Sequence, residues 1–210
     1  MSEHQVNSAE YWTERYTSGT SSWDIGHETA VFVTLRQNDS IPQPQPTYTP
    51  HVFIPGCGFG HDAIGYAKAG YTVTALDFSP VPIEYLQNEA KQHQVELYTA
   101  TQDVFAAGET FENQFDVVLE YTCYCAIDPA RREEYVSVLQ QVTKPNGIVA
   151  GLFFPMDDVV RNAPPFSVNE DEIRTQFEQH GFVLLSSEFP PDSHPARAGR
   201  EKLMLFQKKV

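Results

Sequence analysis

From residue 51 onward, short apolar runs alternate with longer stretches in which apolar positions recur at helical spacing. This alternation is typical of strands that are joined by crossover helices in a parallel sheet. It predicts strands at about 51–55, 71–76, 95–100, 115–121, 148–154, 182–189 and 202–209, and helices at about 60–69, 79–92, 128–142 and 169–180. The run "IVAGLFF" is apolar on both faces, which predicts a strand in the middle of the sheet.

Several helix ends carry recognisable capping signals. Ser79 with Pro80, and Asp128 with Pro129, predict helix starts, since the side chain can cap and proline lacks only an N–H that the first turn does not use. The pattern Ser167-x-x-Glu170 resembles a capping box, and Gly181 would close that helix. The segment "KPNG" predicts a turn.

The last two predicted strands are separated by a loop without a helix, which favours an antiparallel hairpin at one edge of the sheet. At the other end of the chain, helices are predicted at about 8–17 and 28–37. They are followed by the proline-rich segment "IPQPQPTYTP", which favours an extended linker over residues 41–50. One domain is expected over residues 1–210, with its α/β core at 51–210.

Composition narrows the classes of partner. The chain has 14 basic and 28 acidic side chains and a net charge of −14, which disfavours nucleic acid. No apolar run is long enough to cross a bilayer, so a cytoplasmic protein without a membrane partner is expected. Three cysteines fit neither a disulfide framework nor a zinc site, and the seven histidines form no metal-ligand pattern.

The strongest chemical signal is the segment "HVFIPGCGFGHDAIGYAKAGYTVTALDFS". Gly56, Gly58 and Gly60 lie between a predicted strand and a helix, where backbone N–H groups can surround a ligand. Asp77 ends the next strand, so its carboxylate would reach both hydroxyls of a ribose. The spacing is G-x-G-x-G and lacks the sixth-position glycine of the pyrophosphate fingerprint. A nucleoside ligand is predicted, and a structural tight turn is the alternative.

Together with other segments, "PGCGFGHD" resembles the first motif of the thiopurine methyltransferase-like family, and most closely its halide and thiol methyltransferase branch. The further matches are "YWTERYTSGTSSWDIGHETAVF", "EYTCYCAIDPARREEY", "FFPMDD" with "APPFSV", and "RAGREKL". The resemblance implies a Rossmann-like class I S-adenosylmethionine-dependent methyltransferase with a mostly parallel seven-stranded sheet, an antiparallel C-terminal hairpin and a helical lid at residues 1–40.

Carried over by position, the resemblance also implies the site. The cofactor S-adenosyl-L-methionine, released as S-adenosyl-L-homocysteine, would be bound by Trp12, Tyr16, Trp23, Gly56, Gly58, Asp77, Asp103, Val104, Tyr121 and Arg132. The first three would be lid residues, Gly56 would face the cofactor carboxylate, Asp77 the ribose, and Asp103 with Val104 the adenine. Tyr121 and Arg132 are the predicted catalytic residues, and no metal is expected.

Each of these residues also has a structural interpretation. Trp12 and Trp23 could be core anchors, Asp103 could cap a helix, and Arg132 could cover a helix face. The sequence departs from the branch at Tyr16, which replaces a tryptophan; at Cys123, where aromatic residues are usual; and at Ala163-Pro164-Pro165, where Gly-Pro-Pro is usual. Cys123 and Cys125 could either face the pocket or be small buried apolar groups.

The predicted reaction is methyl transfer to small thiols or hydrosulfide, with halides and selenium compounds as further acceptors, by a monomer. A sulfonium methyl is already activated, so alignment and exclusion of water should suffice without a strong base. Tyr121, Asp157 and Asp158 are the candidate bases if one exists. The alternatives are a thiopurine-type methyltransferase, a nicotinamide-dependent oxidoreductase and a non-catalytic adenosyl-binding sensor.

Overall fold

The computed structural model describes residues 6–157 and 159–210. Its helices are α1 (Ala9–Thr17), α2 (Ala30–Gln37), α3 (His61–Lys68), α4 (Pro80–His93), α5 (Ala107–Thr110), α6 (Arg132–Val142) and α7 (Glu170–Gln179). Its strands are β1 (His51–Pro55), β2 (Thr72–Asp77), β3 (Tyr98–Thr101), β4 (Phe115–Tyr121), β5 (Thr143–Phe153), β6 (Phe182–Glu188) and β7 (Lys202–Lys208). Short 3-10 turns lie at Val104–Ala106 and Pro129–Arg131.

The strands form one seven-stranded sheet in the order β3-β2-β1-β4-β5-β7-β6. The first five strands in this order are parallel, and β7 pairs antiparallel with both β5 and β6. The predicted parallel sheet with an antiparallel C-terminal hairpin is therefore confirmed. Because the chain runs outward from β1 in one direction and from β4 in the other, a crevice opens at the carboxyl ends of these two strands, where such sheets bind ligands.

The two faces of the sheet are covered by separate apolar clusters. One is built around Phe53, Val118 and Phe177, and the other around Ile54, Tyr66 and Leu86. The adjacent β1 residues Phe53 and Ile54 point to opposite faces, as the period of a strand requires. Apolar side chains on both faces explain why β1 and β4 read as continuous hydrophobic runs.

The two helices of the predicted N-terminal lid differ in packing. In α2, Val31, Phe32 and Leu35 are buried, and the Tyr66 hydroxyl donates to the carbonyl oxygen of Phe32 at 2.9 Å. In α1, by contrast, no residue is fully buried. The second helix is therefore part of the core, whereas the first contacts the rest of the chain through partly buried side chains, such as Tyr16 on Asp77.

Ser79 and Asp128 cap as predicted, through hydrogen bonds from Val81 N and Ala130 N. The capping box at Ser167 is wrong, because Asn169 is the residue whose side chain caps α7, accepting from Glu172 N.

The turn predicted at "KPNG" is also wrong, because these residues lie within β5. The pairing of β5 with β4 shifts register at this point, and Asn146, with a φ of +63° in the left-handed region, lies within the shifted segment. The predicted strand at 95–100 is shorter in the structure, and α5 and the turn before it were missed because they are only four and three residues long. Among the described helices, none is long and apolar enough for a bilayer crossing.

Candidate active site

The glycine-rich loop follows β1 and begins α3. Gly56, Gly58 and Gly60 have φ values of +59°, +54° and +76°, in the left-handed region that favours glycine. A Cβ on Gly60 would lie 2.4 Å from a methyl carbon of Leu86, and one on Gly56 would lie 2.9 Å from the sulfur of Cys123. The backbone conformation therefore favours glycine at all three positions, and the neighbouring Cys123 leaves no room for a side chain at Gly56.

Asp77 ends β2 directly beside this loop and is buried, with 4% of its surface exposed. Its Oδ2 accepts from Gly58 N at 3.0 Å and from the Tyr16 hydroxyl at 3.2 Å, and its Oδ1 accepts from Ser79 N at 2.9 Å. Burial raises the pKa of this carboxyl, while the three hydrogen bonds oppose the rise. The carboxylate is thus oriented by the loop and by α1 together.

A cavity of about 390 Å³ opens beside Gly56 and Asp77. It is lined by residues from α1 and the segment after it, from the ends of β1, β2 and β4, and from three loops. These residues include Trp12, Tyr16, Trp23, Gly56, Asp77, Asp103 and Val104, which are seven of the ten predicted cofactor residues. Gly58 contributes its N–H to Asp77 and lines a smaller neighbouring cavity of about 60 Å³.

Asp103 caps a turn and also lines the cavity. Its Oδ1 accepts from Phe105 N at 3.0 Å, so the side chain caps the turn Val104–Ala106. The residue also lines the cavity, together with Phe105 and Arg131, whose guanidinium carbon lies 3.5 Å from the centre of the Phe105 ring. This end of the cavity is therefore flat, partly apolar and bordered by one carboxylate.

Aromatic rings from the N-terminal segment cover the cavity. Trp12 and Trp23 meet edge to face with centroids 5.7 Å apart, and Tyr16 packs in the same way on Trp23 at 5.3 Å and on Phe59 at 5.4 Å. Burial and the nearby Asp77 carboxylate raise the pKa of Tyr16, so its hydroxyl keeps its proton and donates a hydrogen bond to Asp77. The tryptophans contact both each other and the cavity.

Arg197 is a site residue that the sequence interpretation missed. Only 7% of its surface is exposed, and it donates to the carbonyl oxygen of Trp23 at 2.7 Å and to the hydroxyl oxygen of Tyr121. Arg197 and Arg200 both line the cavity, and each guanidinium carbon lies 5.2 Å from the centre of the Phe154 ring. The signal was present in "RAGREKL", a matched segment whose arginines were not assigned a role.

The structure does not bring the two predicted catalytic residues into the main cavity. Tyr121 lines the smaller one, and its hydroxyl donates to Glu201 Oε2 at 3.0 Å. Burial raises the pKa of Tyr121 above its ordinary value, so the hydroxyl is protonated at neutral pH and cannot act as a base. Tyr121 thus lies beside the main cavity, and its catalytic role stays a prediction.

Arg132, the second residue predicted to be catalytic, also lies outside the main cavity. It is 2% exposed, and its Nη2 donates to the carbonyl oxygen of Ser167 at 3.0 Å. Its Nη1 lies 3.6 Å from a carboxylate oxygen of Glu172, and its guanidinium carbon lies 4.7 Å from the centre of the Tyr124 ring. The side chain thus packs between α6 and α7 and does not line the cavity.

Asp157, another candidate base, is also unsuited. Arg161 binds both oxygens of Asp157, at 2.6 and 2.9 Å, and lowers the pKa of that carboxyl to about 2. Such a carboxylate does not take a proton from a thiol at neutral pH. Asp158 lies outside the described residues.

Cys123 and Cys125 are buried and line the cavity. Burial is the main cause that raises the pKa of Cys123 well above its ordinary value and that of Cys125 to about 12. Both are therefore neutral thiols at physiological pH, and a neutral buried thiol is inert. They form part of the apolar wall of the cavity.

Known proteins are similar to this chain over most of its length. The family model described as "Thiopurine S-methyltransferase (TPMT)" matches residues 7–209. The chain is 28% identical over 199 residues to thiocyanate methyltransferase 1 of Arabidopsis thaliana, covering 94% of this chain and 84% of that protein. It is 24% identical over 219 residues to the thiopurine S-methyltransferase of Vibrio atlanticus, covering 98% and 97%.

Solved structures show the same fold at lower identity. The 1,6-didemethyltoxoflavin-N1-methyltransferase of Burkholderia thailandensis, with bound S-adenosylhomocysteine, superposes with a TM-score of 0.76 at 18% identity and covers 96% of this chain and 87% of its own. A TehB-like S-adenosylmethionine-dependent methyltransferase of Corynebacterium glutamicum superposes with a TM-score of 0.65 at 16% identity, covering 96% and 98%.

Proposed function

The chain belongs to the thiopurine S-methyltransferase family, and we propose that it transfers the methyl group of S-adenosylmethionine to small sulfur nucleophiles that it binds as anions. The observation that carries this proposal is the pair Arg197 and Arg200 on the Phe154 ring of the cavity. Asp157 and Tyr121, the described candidate bases, are not suited to take a proton from a thiol. Relatives named thiocyanate methyltransferase and probable thiol methyltransferase support the same acceptor class.

The residues around the cavity fit S-adenosylmethionine. The buried carboxylate of Asp77 would accept from the ribose hydroxyls, and Asp103 and Val104 would lie against the adenine. Gly56, which lines the cavity, would lie beside the methionine end, and Gly58 would keep Asp77 in place through its N–H. When bound, the cofactor supplies a methyl group on a positively charged sulfonium.

The aromatic faces of Trp12, Tyr16 and Trp23 would stabilise that charge. A cation over an aromatic ring gains about 0.5–2 kcal/mol, and the gain disappears when the sulfur becomes neutral after transfer. The same rings exclude water from the cavity. This chain therefore favours the charged substrate over the neutral product.

The acceptor would be bound at the arginine end. Arg197 and Arg200 line this end of the cavity, whereas Arg131 lies beside Asp103 at the other end, within a chain whose net charge is −14. A concentration of positive charge against the overall sign of the protein favours an anionic ligand. A guanidinium also holds an anion by charge-assisted hydrogen bonds, which are stronger than neutral ones.

Binding a preformed anion removes the need for a general base. A thiolate is the reactive form of a thiol, and its fraction in solution is set by its own pKa. The protein then has only to hold the nucleophile in line with the methyl group, and such positioning can supply about 7–11 kcal/mol of the barrier. Thiocyanate and halides are already anions, so they would use the same route.

A thiopurine acceptor is the second candidate. Phe154, Pro164 and Pro165 give the acceptor end flat apolar walls that could hold a planar ring, and the Vibrio atlanticus relative is named for that activity. Thiocyanate and hydrosulfide would need only the arginines, whereas a thiopurine would need the walls as well.

We also propose that residues 1–210 form one domain in which α1 and the residues up to Trp23 close over the cofactor. The linker at 41–50 packs on the core, where the Tyr71 hydroxyl donates to Gln43 at 2.9 Å, so it would not move with the lid. S-adenosylhomocysteine should protect the segment before α2 from proteolysis. Equal cleavage with and without it would make Trp12 and Trp23 structural.

The decisive experiment is a screen of hydrosulfide, small thiols, thiocyanate, iodide and thiopurines with S-adenosylmethionine, measuring S-adenosylhomocysteine formed. We expect turnover with the small anions. NADH in a thermal-shift assay should give no stabilisation, whereas S-adenosylhomocysteine at about a hundred times its dissociation constant should add roughly 2.7 kcal/mol. Binding of S-adenosylhomocysteine without turnover of any acceptor would favour the sensor, and thiopurine turnover alone would favour the second candidate.

A further inference from the structure

Glu120 is a buried acid with no role in the steps above. It precedes the last residue of β4, and only 1% of its surface is exposed. Its Oε1 accepts from the backbone N–H of Tyr124 at 2.6 Å. The side chain thus reaches from the strand across the turn that follows it.

That turn forms a wall of the main cavity. Thr122, Cys123 and Cys125 line the cavity, and the carbonyl oxygen of Cys123 accepts from Ala126 N at 2.8 Å. Thr122 has a φ of +59°, a conformation that costs a β-branched residue energy and persists only where the surroundings impose it. Some group outside the turn must therefore hold it in place.

The turn also borders the glycine loop without spare room. The position of a Cβ on Gly56 would be 2.9 Å from the sulfur and 3.2 Å from the Cβ of Cys123. A shift of the turn would therefore change the shape of the cavity at the point where the cofactor loop and the acceptor end meet.

Arg132 holds Tyr124 from the other side. Its guanidinium lies over the Tyr124 ring, and the Tyr124 hydroxyl donates to Gln176 Oε1 at 2.7 Å. Tyr124 is thereby fixed at its backbone by Glu120, at its ring by Arg132 and at its hydroxyl by α7. This arrangement accounts for an arginine that was expected in the cavity and is found behind it.

We propose that Glu120 is a positioning residue for methyl transfer: it acts through Tyr124 N to set the turn that carries Thr122, Cys123 and Cys125. The inference rests on the proposed function, because it assigns Glu120 to the alignment of that reaction. What matters is the reach of the side chain to Tyr124 N, since a neutral amide oxygen at the same place can also accept this hydrogen bond.

The titration of Glu120 agrees with this geometry. Burial raises its pKa to about 7, opposed by the backbone N–H groups of Tyr124 and Cys123 and by Arg132. The other titratable groups facing it are Cys123, Cys125, Tyr124 and Tyr135, which burial keeps neutral. Either protonation state retains an oxygen that can accept from Tyr124 N.

Two variants distinguish the length of the Glu120 side chain from its charge. Glu120→Gln keeps the reach and removes the charge, whereas Glu120→Asp keeps the charge and withdraws the acceptor by one methylene. We expect kcat of Glu120→Gln, with thiocyanate and hydrosulfide as acceptors, to stay within about threefold of wild type. Glu120→Asp should lose about ten- to a hundredfold in kcat, the scale of a misplacement of about 1 Å, with a smaller change in KM.

Asp116 provides the matched control, because it lies at the other end of β4 and its Oδ2 also accepts a backbone N–H, from His51 at 2.8 Å. Asp116→Glu should change stability without changing kcat. If Glu120→Asp keeps wild-type kcat, or if Glu120→Gln loses as much as Glu120→Asp, the positioning role is wrong.

A second measurement does not depend on turnover. Trypsin separates Cys57 from Cys123 and Cys125, which share the peptide 92–131. Glu120→Asp should increase the rate at which a thiol reagent labels that peptide by about tenfold, relative to Cys57, if the closed turn opens locally. Unchanged labelling would overturn the inference. Failure of wild-type protein to methylate any acceptor would instead overturn the proposed function, while the labelling still tests the hold of Glu120 on the turn.

Discussion

The two ends of the cavity are built in different ways. The end beside Asp77 and Asp103 consists of strand ends, backbone N–H groups and the glycine loop. These features all lie between the start of β1 and the turn Val104–Ala106. The end beside Phe154 is assembled from the turn after β4, the exit of β5 and the loop that carries Arg197 and Arg200. The first, the acidic end, carries Asp77 and Asp103 with Arg131 beside them and is held by backbone groups. The second, the basic end, carries Arg197 and Arg200 and is built from side chains.

This difference suggests a division of labour. A cofactor that is common to every reaction suits a site defined by backbone geometry, which changes little when side chains change. Acceptor choice suits a site assembled from side chains on loops, which tolerate substitution. The predictions below test whether the two ends are energetically separate.

The largest effect is expected at the acidic end. Asp77→Ala should weaken binding of S-adenosylhomocysteine by about 1.5–3 kcal/mol, the range for hydrogen bonds to a charged group, or roughly ten- to 150-fold. If the ends are separate, kcat/KM should fall by the same factor for thiocyanate and hydrosulfide. Isothermal titration and steady-state kinetics measure both quantities, and unchanged affinity in a folded variant would remove the ribose assignment.

A smaller effect is expected at the basic end. Arg200→Gln should raise KM for thiocyanate by about fivefold, corresponding to about 1 kcal/mol for a partly exposed charge, and leave the affinity for S-adenosylhomocysteine unchanged. Arg161→Gln is the matched control, because Arg161 and Arg200 both bind Asp157 but only Arg200 lines the cavity. Equal effects of the two variants would show that Arg200 acts through Asp157.

Tyr121→Phe should retain most activity, within about threefold, since no base is required if the acceptor binds as an anion. For wild type and variant alike, kcat/KM should rise with pH and level off near the pKa of each thiol, while thiocyanate should show no such rise. The test is a pH series with thiols of different acidity. A common inflection for all thiols that disappears in Tyr121→Phe would identify Tyr121 as the base.

The last prediction concerns the pH dependence of folding stability and not of binding, and it involves two acids with raised pKa values, Asp62 and Glu120. Desolvation raises the pKa of Asp62 from 3.8 to about 6 and that of Glu120 from 4.5 to about 7. A raised pKa in the folded state means that folding takes up protons, so stability is greatest below the unfolded pKa and falls as pH rises through the folded one. The free energy of unfolding should therefore decline between about pH 4 and 6 because of Asp62 and between about pH 4.5 and 7 because of Glu120. Asp62→Asn should remove the first decline, and Glu120→Gln should remove the second. Urea unfolding at a series of pH values would reveal each window, and identical slopes in wild type and variant would contradict the assignment.

Much of the fold could be predicted from the chain alone. The bounds of β1 and β4 agree with the apolar runs because strands buried on both faces must be apolar throughout. Ser79 and Asp128 were recognised because a cap depends on a residue and its next few neighbours. Asp77 was found for the same reason, since a short motif fixes its distance from the glycine loop.

Arg132 and Arg197 show what only the tertiary structure decided. Both are arginines in matched segments, and no local pattern distinguishes one that packs behind the site from one that faces it. Arg132 lies outside the cavity because it packs on Tyr124 and donates to the carbonyl oxygen of Ser167. Arg197 lies at the cavity because β7, which begins five residues later, pairs antiparallel with β5. Local signals decide which segments form helices and strands, but contacts between residues far apart in the chain decide which side chains share a cavity, because each such contact depends on the packing of the whole sheet.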